Sequence, residues 1–303
     1  MTLKRSGSGR LAMNTELLDI TTSADGANAV NAATAAPNDL LGRIGTLETR
    51  LTRSHAEIDA AQSIRYKVFV EEMHAQVAPE GARRKRDIDG WDALCDHLVV
   101  VDRSIEGDPE EQIVGTYRLL RQEVAEAHGG FYSASEFSID RLIASHPGKR
   151  FIELGRSCVL PEYRNKRTME LLWQGAWAYA LRHRGDAMIG CASFPGVFPE
   201  EHALALSFLH NNAVADGEWA VEARPELYRQ MDLMPAEAIN ARKAVSSMPP
   251  LIKGYLRLGA MFGAGAVVDH AFNTTDVLIV LPISRISDRY LNYYGSDAGR
   301  FAS

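Results

Sequence analysis

The chain has 303 residues, 46% of them hydrophobic, and a formal net charge of −6 at pH 7. That is enough apolar material for a sizeable core in one large domain or two small ones. The acidic balance argues against a general nucleic-acid binder, whose phosphate contacts need a basic surface.

Residues 1–45 read as a tail rich in Ala, Asn, Thr, Ser and Gly, as in Thr21–Pro37. Such a composition buries too little apolar surface to offset the entropy of ordering. Met1–Ile20 has basic residues but no continuous apolar stretch of the signal-peptide kind. No segment approaches the ~20 apolar residues that span a bilayer. Residues 46–303 read as a single domain with a C-terminal extension.

Within it, Glu57–Met73 has helical spacing, with Ile58, Ala61, Ile64, Val68 and Phe69 on one side. Arg83–Arg86 is a basic run expected in a loop. Strands are expected at Asp96–Val101 and Gln112–Leu120, then a short helix at Phe137–Ser145 and a strand at Phe151–Leu160. Arg167–Arg184 reads as a helix turning Leu171, Leu172, Trp173, Ala176, Trp177, Ala180 and Leu181 to a core. Ala187–Ala192 is an apolar strand, and Glu200–Leu209 and Pro235–Ser246 read as helices. Leu258–Val268 reads as a buried loop and strand. Ala264–Ala271 and Asp276–Ile283 form the last strand pair, joined around Asn273–Thr275. The order implies an α/β chain of the α+β type with a mixed, mostly antiparallel central sheet flanked by helices.

Cys95, Cys158 and Cys191 stand far apart with no CxxC spacing, which fits reduced cytoplasmic thiols rather than a disulfide framework. The histidines, among them His97, His202, His210 and His270, show no ligand spacing, so no metal is assigned. Trp173 and Trp177 lie four apart and read as core. Glu153 and Arg156 are three apart, so a regular strand would point them to opposite faces. Gly155 between them marks a bulge that could bring both to one cleft. A surface Glu–Arg pair on an edge strand is the open alternative.

Four stretches carry a family resemblance: Glu153-Leu-Gly-Arg-Ser-Cys-Val159, Leu172-Trp-Gln-Gly175, Gly190-Cys-Ala-Ser-Phe194, and the run Pro249–Arg289. That run contains Pro-Pro-Leu-Ile-Lys-Gly-Tyr-Leu-Arg-Leu-Gly-Ala and Phe-Asn-Thr-Thr-Asp-Val-Leu-Ile-Val-Leu-Pro. Together they resemble the ornithine-lipid N-acyltransferases of the GNAT superfamily over Leu47–Ala302. The resemblance implies a GNAT fold whose central strands splay to admit a pantetheine arm. It implies no bound cofactor. The donor would be the acyl-phosphopantetheine of an acyl carrier protein carrying a (3-hydroxy)fatty acyl group, and the acceptor the α-amine of L-ornithine. The product, lyso-ornithine lipid, implies a cytoplasmic enzyme with peripheral contact to the inner membrane.

The front half is also similar to acyl-homoserine lactone synthases. The matches are Arg65 and Phe69, Asp89-x-x-Asp92, Gly115-x-x-Arg118-Leu-Leu120 and Glu153-x-x-Arg156. Lactone synthesis from S-adenosylmethionine is one competing function, and a non-catalytic lipid- or carrier-binding protein is another.

The chemistry requires a neutral amine. An α-amine titrates near ~8 and a Lys-like amine near ~10.4, so neutralising the α-amine at pH 7 is easier by about 3 kcal/mol. Glu153 is the candidate general base. Arg156 would orient it or hold a carboxylate. Asp89 and Asp92 are candidates for the charged δ-amine, against ordinary Asp-Gly turn chemistry. Arg118 is a candidate for the substrate carboxylate, or a strand-end salt bridge. Arg65 and Phe69 join the acceptor site by resemblance.

For the pantetheine arm the resemblance implies Ser157 and Val159, with Arg164, Lys166 and Arg167. Here the usual GNAT phosphate loop reads Arg164-Asn-Lys-Arg-Thr-Met169, so its two small positions are occupied by Arg167 and Met169. That loss weighs against coenzyme A and for a carrier protein, whose acidic surface the basic residues here and at Arg83–Arg86 could steer. A solvated charge run is the open alternative for Arg83–Arg86. Cys158 is read as buried rather than nucleophilic. Asp269 and Asn273, near the final hairpin, could shape the acceptor site or cap backbone groups, and the structural reading is favoured.

Overall fold

The computed structural model describes residues 39–286. Most of the expected tail, and the chain after 286, lie outside the described residues. The part of the tail that is described is not a tail. Leu40–Ile44 is strand β1, pairing antiparallel with β2 (Leu47–Leu51) across a two-residue connection. Sequence pattern misses this hairpin because β2 buries polar side chains. Glu48, Thr49 and Arg50 are all buried, and Arg50 holds Glu57 with two hydrogen bonds of 2.9 and 2.7 Å.

The remaining strands are β3 (Asp96–Asp102), β4 (Ile113–Arg121), β5 (Phe151–Val159), β6 (Ala187–Pro195), β7 (Met261–Phe262), β8 (Val267–Asp269) and β9 (Thr274–Pro282). They form one sheet in the order β1-β2-β3-β4-β5-β6-β9-β7, with β8 also pairing β9. Every named pairing is antiparallel except β5 with β6. The helices are α1 (His55–Arg65), α2 (Pro79–Arg84), α3 (Pro109–Gln112), α4 (Gln122–Ala127), α5 (Ile139–Ala144), α6 (Lys166–Arg182), α7 (Ala203–Ala213), α8 (Ala241–Ser247) and α9 (Pro250–Leu258).

Both faces of the sheet are covered, which is why its central strands read as continuous apolar runs. Leu98 and Val100 of β3 face one cluster with Leu171, Leu172 and Tyr179 of α6 and Ile252 of α9. Val99 and Val101 face the opposite layer, with Ala60, Ala61 and Ile64 of α1. Each such aliphatic side chain stabilises the fold by roughly 1.5–3 kcal/mol when fully buried. Gly175 lets α6 lie close on the sheet, because a Cβ there would stand 2.7 Å from Thr49 Oγ1. Leu181, expected toward the core, is 39% exposed.

Two expectations change in form. The segment Glu57–Met73 starts as α1, capped by Ser54, whose Oγ accepts from the Glu57 amide at 3.3 Å. From Tyr66 to Glu72 it is a π-helix. Arg83 and Arg84 end the short helix α2 rather than lying in a loop. Helix α9 begins with Pro249 and Pro250 and stops at Gly259, a start and stop legible from proline and glycine placement.

Candidate active site

Strand β5 carries an extra residue. Thr116 of β4 lies opposite Cys158, and Arg118 lies opposite Gly155, so two steps on β4 match three on β5. This is the bulge expected beside Gly155. The left-handed residue is Arg156, at φ 52°. The kink re-aims its side chain to the same side as the cavity that Glu153 lines.

On its other edge β5 pairs with β6 only from Phe151 to Glu153, opposite Ala187 to Ile189. Beyond that point β6 stays with β9 as far as Pro195. The two strands therefore part after Glu153. Gly190 sits where they part, at φ 152°, and a Cβ there would stand 2.1 Å from the Leu154 carbonyl oxygen. Only glycine fits that position without moving the splay.

The splay opens into a cavity of about 480 Å³. One wall is apolar: Val68, Phe69 and Met73 from the π-helix and its end, with Met169, Leu251 and Val159. A π-turn in a functional wall is a common pairing, and here it presents Phe69 edge-on to Phe272 at 5.8 Å. The other wall is polar and includes Arg118, Tyr132, Ser133, Glu136, Glu153, Arg156, Cys191, Ser193, Asp269 and Asp276.

Glu153 is buried, and both its oxygens accept hydrogen bonds. Oε2 accepts from the Tyr132 amide at 2.8 Å; Oε1 accepts from the Ser133 amide at 2.7 Å and from its hydroxyl. Burial pushes its pKa up, and the Ser133 and Tyr132 donors pull it back. The carboxylate thus ties the reactive strand to the 3-10 helix Tyr132–Ser135.

Behind Arg118 and Arg156 lies a balanced ion network. Arg65 bonds Asp92 with two nitrogens at 2.7 and 2.9 Å and Asp87 at 2.8 Å. Arg118 reaches Asp89 at 2.6 Å and Asp92 at 3.3 Å. Arg156 reaches Asp89 at 3.3 Å and Asp87 at 3.4 Å, with its guanidinium 4.2 Å from the Phe272 ring centroid. Three arginines face three aspartates. Burial alone would raise the Asp92 pKa, but Arg65 and Arg118 hold it down at about 2.

This corrects the expected acceptor site. Asp89, Asp92 and Arg65 do not line the cavity. The Asp-Gly-Trp-Asp segment is a capped 3-10 turn, Asp89 accepting from the Trp91 amide at 2.9 Å, and its carboxylates are occupied by arginines. Phe69, Arg118, Ser157, Val159 and Arg164 do line the cavity; Lys166 and Arg167 do not. Arg164 is paired with Glu72 at 2.6 and 2.5 Å, and Lys166 with Glu170 at 3.3 Å. Within the basic run, Arg83 pairs with Glu80, and Arg84 and Arg86 with Asp59. Trp177 is core, and Trp173 packs edge-on to Tyr255 at 4.6 Å. Cys158 is buried, and burial pushes its thiol up to about 12, which disfavours the thiolate.

A second charged group adds two residues the sequence did not single out, Glu136 and Asp276, to Asp269. Carboxylate oxygens of Glu136, Asp269 and Asp276 all lie within 4.8 Å of one another on the polar wall. Asp269 Oδ1 accepts from the amides of Ala271 and Phe272 at 2.7 and 3.0 Å, holding the β8–β9 turn. The Cys191 thiol donates to Glu136 Oε2 at 3.3 Å. Burial, then the neighbouring Asp276 carboxylate, pushes Glu136 up to about 7; burial brings Asp276 to about 6. Three carboxylates of this kind can hold a cation, metallic or organic. Asp276 left one legible signal, a lone acid in the apolar strand Thr274–Pro282. Glu136, in Ser-Glu-Phe-Ser, left none.

The family described as the acetyltransferase (GNAT) domain matches residues 64–174. A protein of Rhizobium meliloti (strain 1021) named L-ornithine N(alpha)-acyltransferase is 74% identical over 96% of this chain and 99% of its own length. One of the same name from Agrobacterium fabrum (strain C58 / ATCC 33970) is 72% identical over 88% of this chain and 92% of its own. Among solved structures, FeeM, an N-acyl amino acid synthase from uncultured soil microbes, is 12% identical. It aligns at a TM-score of 0.46 over 78% of this chain and 91% of its own.

Proposed function

The chain belongs to the L-ornithine N(alpha)-acyltransferase family, and from that membership we propose that it moves a (3-hydroxy)fatty acyl group from acyl carrier protein to the α-amine of L-ornithine at the β5–β6 splay. The observation that carries the siting is the parting of these strands after Glu153, directly into the cavity. The β5 backbone groups freed from pairing there can bond the pantetheine arm as an added strand would.

In this reading the neutral α-amine attacks the thioester carbonyl. The C–N bond forms, the C–S bond breaks, and the thiol of the pantetheine leaves. Glu153 takes the amine proton directly or through a water, and backbone N–H groups of the bulge face the developing oxyanion. Arg156, fixed by Asp87, Asp89 and the Tyr132 ring, holds the bulge in shape. Arg118 and Arg156 are the cations at the cavity wall for the acceptor's carboxylate.

The donor is assigned to a carrier protein on the start of α6. Asn165 caps that helix, its Oδ1 accepting from the Thr168 amide at 3.2 Å. An amide that would serve a pyrophosphate is thereby taken by the protein. Arg164, Lys166 and Arg167 stand exposed at this end for an acidic carrier. No helix among the described residues is long and apolar enough to cross a membrane. The amphiphilic product accounts for a peripheral contact on the cytoplasmic face.

Purified protein with 3-hydroxyacyl carrier protein, the matching acyl-coenzyme A and L-ornithine tests this by mass spectrometry of the product. Acyl-ornithine should form from the carrier thioester, and Glu153→Gln should lower kcat about 10²-fold or more. Lactone formed from S-adenosylmethionine in place of acyl-ornithine would establish the lactone-synthase alternative, and no product from any acceptor the non-catalytic one. Unchanged kcat in Glu153→Gln would remove Glu153 from the chemistry.

A further inference from the structure

We propose that Glu136, Asp269 and Asp276 form a subsite for the side-chain ammonium of the acceptor, and thereby select a diamino acid over a neutral one. The inference rests on the acyl-transfer reading above and deepens it. It begins from charge balance. The three arginines beside the cavity are matched by Asp87, Asp89 and Asp92. Glu136, Asp269 and Asp276 form no ion pair among the described residues, so these carboxylates on the polar wall have no cation paired to them directly.

Asp276 supplies the second, independent observation. It lines the cavity, the residue is 6% exposed, and Oδ1 has no hydrogen-bond partner among the described residues, with the Ser193 and Thr274 hydroxyls near the carboxylate. A buried carboxylate oxygen left without a partner costs stability, and it belongs to a residue that lines the cavity where an acceptor would sit. The geometry also connects the subsite to the reaction. Glu136 follows the 3-10 helix Tyr132–Ser135, whose first amides Glu153 holds. The proposed base and the proposed subsite are therefore braced by one short segment.

The donor count favours an ammonium over a divalent metal. An –NH₃⁺ group has three N–H donors and no acceptor, one for each carboxylate. Ca²⁺ or Mg²⁺ would require about six oxygen ligands. Here one Asp269 oxygen already serves two amides and one Glu136 oxygen already accepts from Cys191. Ornithine presents such an ammonium three methylenes from its α-carbon. Norvaline has the same carbon chain without it.

The experiment compares kcat/KM for ornithine and norvaline in the wild-type protein, Asp276→Asn and Glu136→Gln, with acyl carrier protein as donor. Wild type should prefer ornithine, and each variant should lose about tenfold to a hundredfold of that preference through a raised ornithine KM, with norvaline little changed. Thermal melts establish that each variant is folded, and Glu136→Gln reports the same ratio if Asp276→Asn does not fold. If wild type acylates ornithine and folded variants keep its preference, the subsite is wrong while the function stands. If wild type acylates no ornithine, the function itself falls. Binding of Ca²⁺ or Mg²⁺ that both variants abolish, with loss of ornithine turnover in EDTA, would make the cluster a metal site and overturn the proposal.

Discussion

Two groups of buried charge lie on either side of Arg156, and they are built on opposite plans. In the first, Arg65, Arg118 and Arg156 are matched one for one with Asp87, Asp89 and Asp92, and nearly every polar atom has a partner. In the second, Glu136, Asp269 and Asp276 crowd together with no ion pair to any of them among the described residues. A matched network is self-sufficient and serves as scaffold. An unmatched one is higher in free energy while empty and is relieved by a ligand of the opposite sign. The difference separates aspartates that hold the site's arginines in place, behind the cavity, from carboxylates that line the cavity itself.

The largest expected effect tests the matched side. Arg65→Leu removes the shortest ion-pair partner of Asp87 and Asp92 in the interior and should destabilise the fold by about 3–5 kcal/mol in a denaturant titration. A loss below about 1 kcal/mol would mean that the network is not a buried scaffold.

The next tests the unmatched side. The Asp276 pKa is raised by burial to about 6. Its contribution is therefore fully present below about pH 4 and lost as pH rises through about 6, a difference of about 3 kcal/mol. Asp276→Asn should not suffer that loss. Relative to wild type without ligand, it should gain stability between pH 4 and pH 8, read as a Tm difference growing with pH. Glu136, raised to about 7, pushes the wild-type curve in the same direction.

A smaller effect has the opposite sign. Asp92 is held down at about 2 by Arg65 and Arg118 against the cost of burial. Its contribution is present above about pH 4 and lost as pH falls through about 2, roughly 2 kcal/mol. Asp92→Asn should flatten the acid limb of the stability curve that Asp276→Asn leaves intact. Smallest of all, Arg83→Ala removes an exposed pair with Glu80 and should leave Tm unchanged.

Legibility in the sequence follows the same division. Strands β3 to β6, β9 and helix α6 announce themselves, because a covered sheet and an amphipathic helix impose apolar runs that any reader of the chain can find. The hairpin β1–β2 does not, since its buried positions include Glu48, Thr49 and Arg50. The bulge was legible from Gly155, although the left-handed turn itself falls on Arg156. Asp89 and Asp92 stood out as acids in a recognisable motif, yet their arginine partners are 26 to 67 residues away in the chain. Spacing carries no information about which arginine will consume which aspartate.

The sequence by itself determined the α+β layout, the reactive strand with its kink, and the family, because each depends on local pattern or on motifs contiguous in the chain. Only the tertiary structure decided which carboxylates are spent on arginines and which remain open. Glu136 comes from a loop, Asp269 from β8 and Asp276 from β9. They become one group only when the sheet and the segment anchored by Glu153 bring them within 4.8 Å. Charge balance at a site is a sum over neighbours in space, and the order of residues along the chain does not contain it.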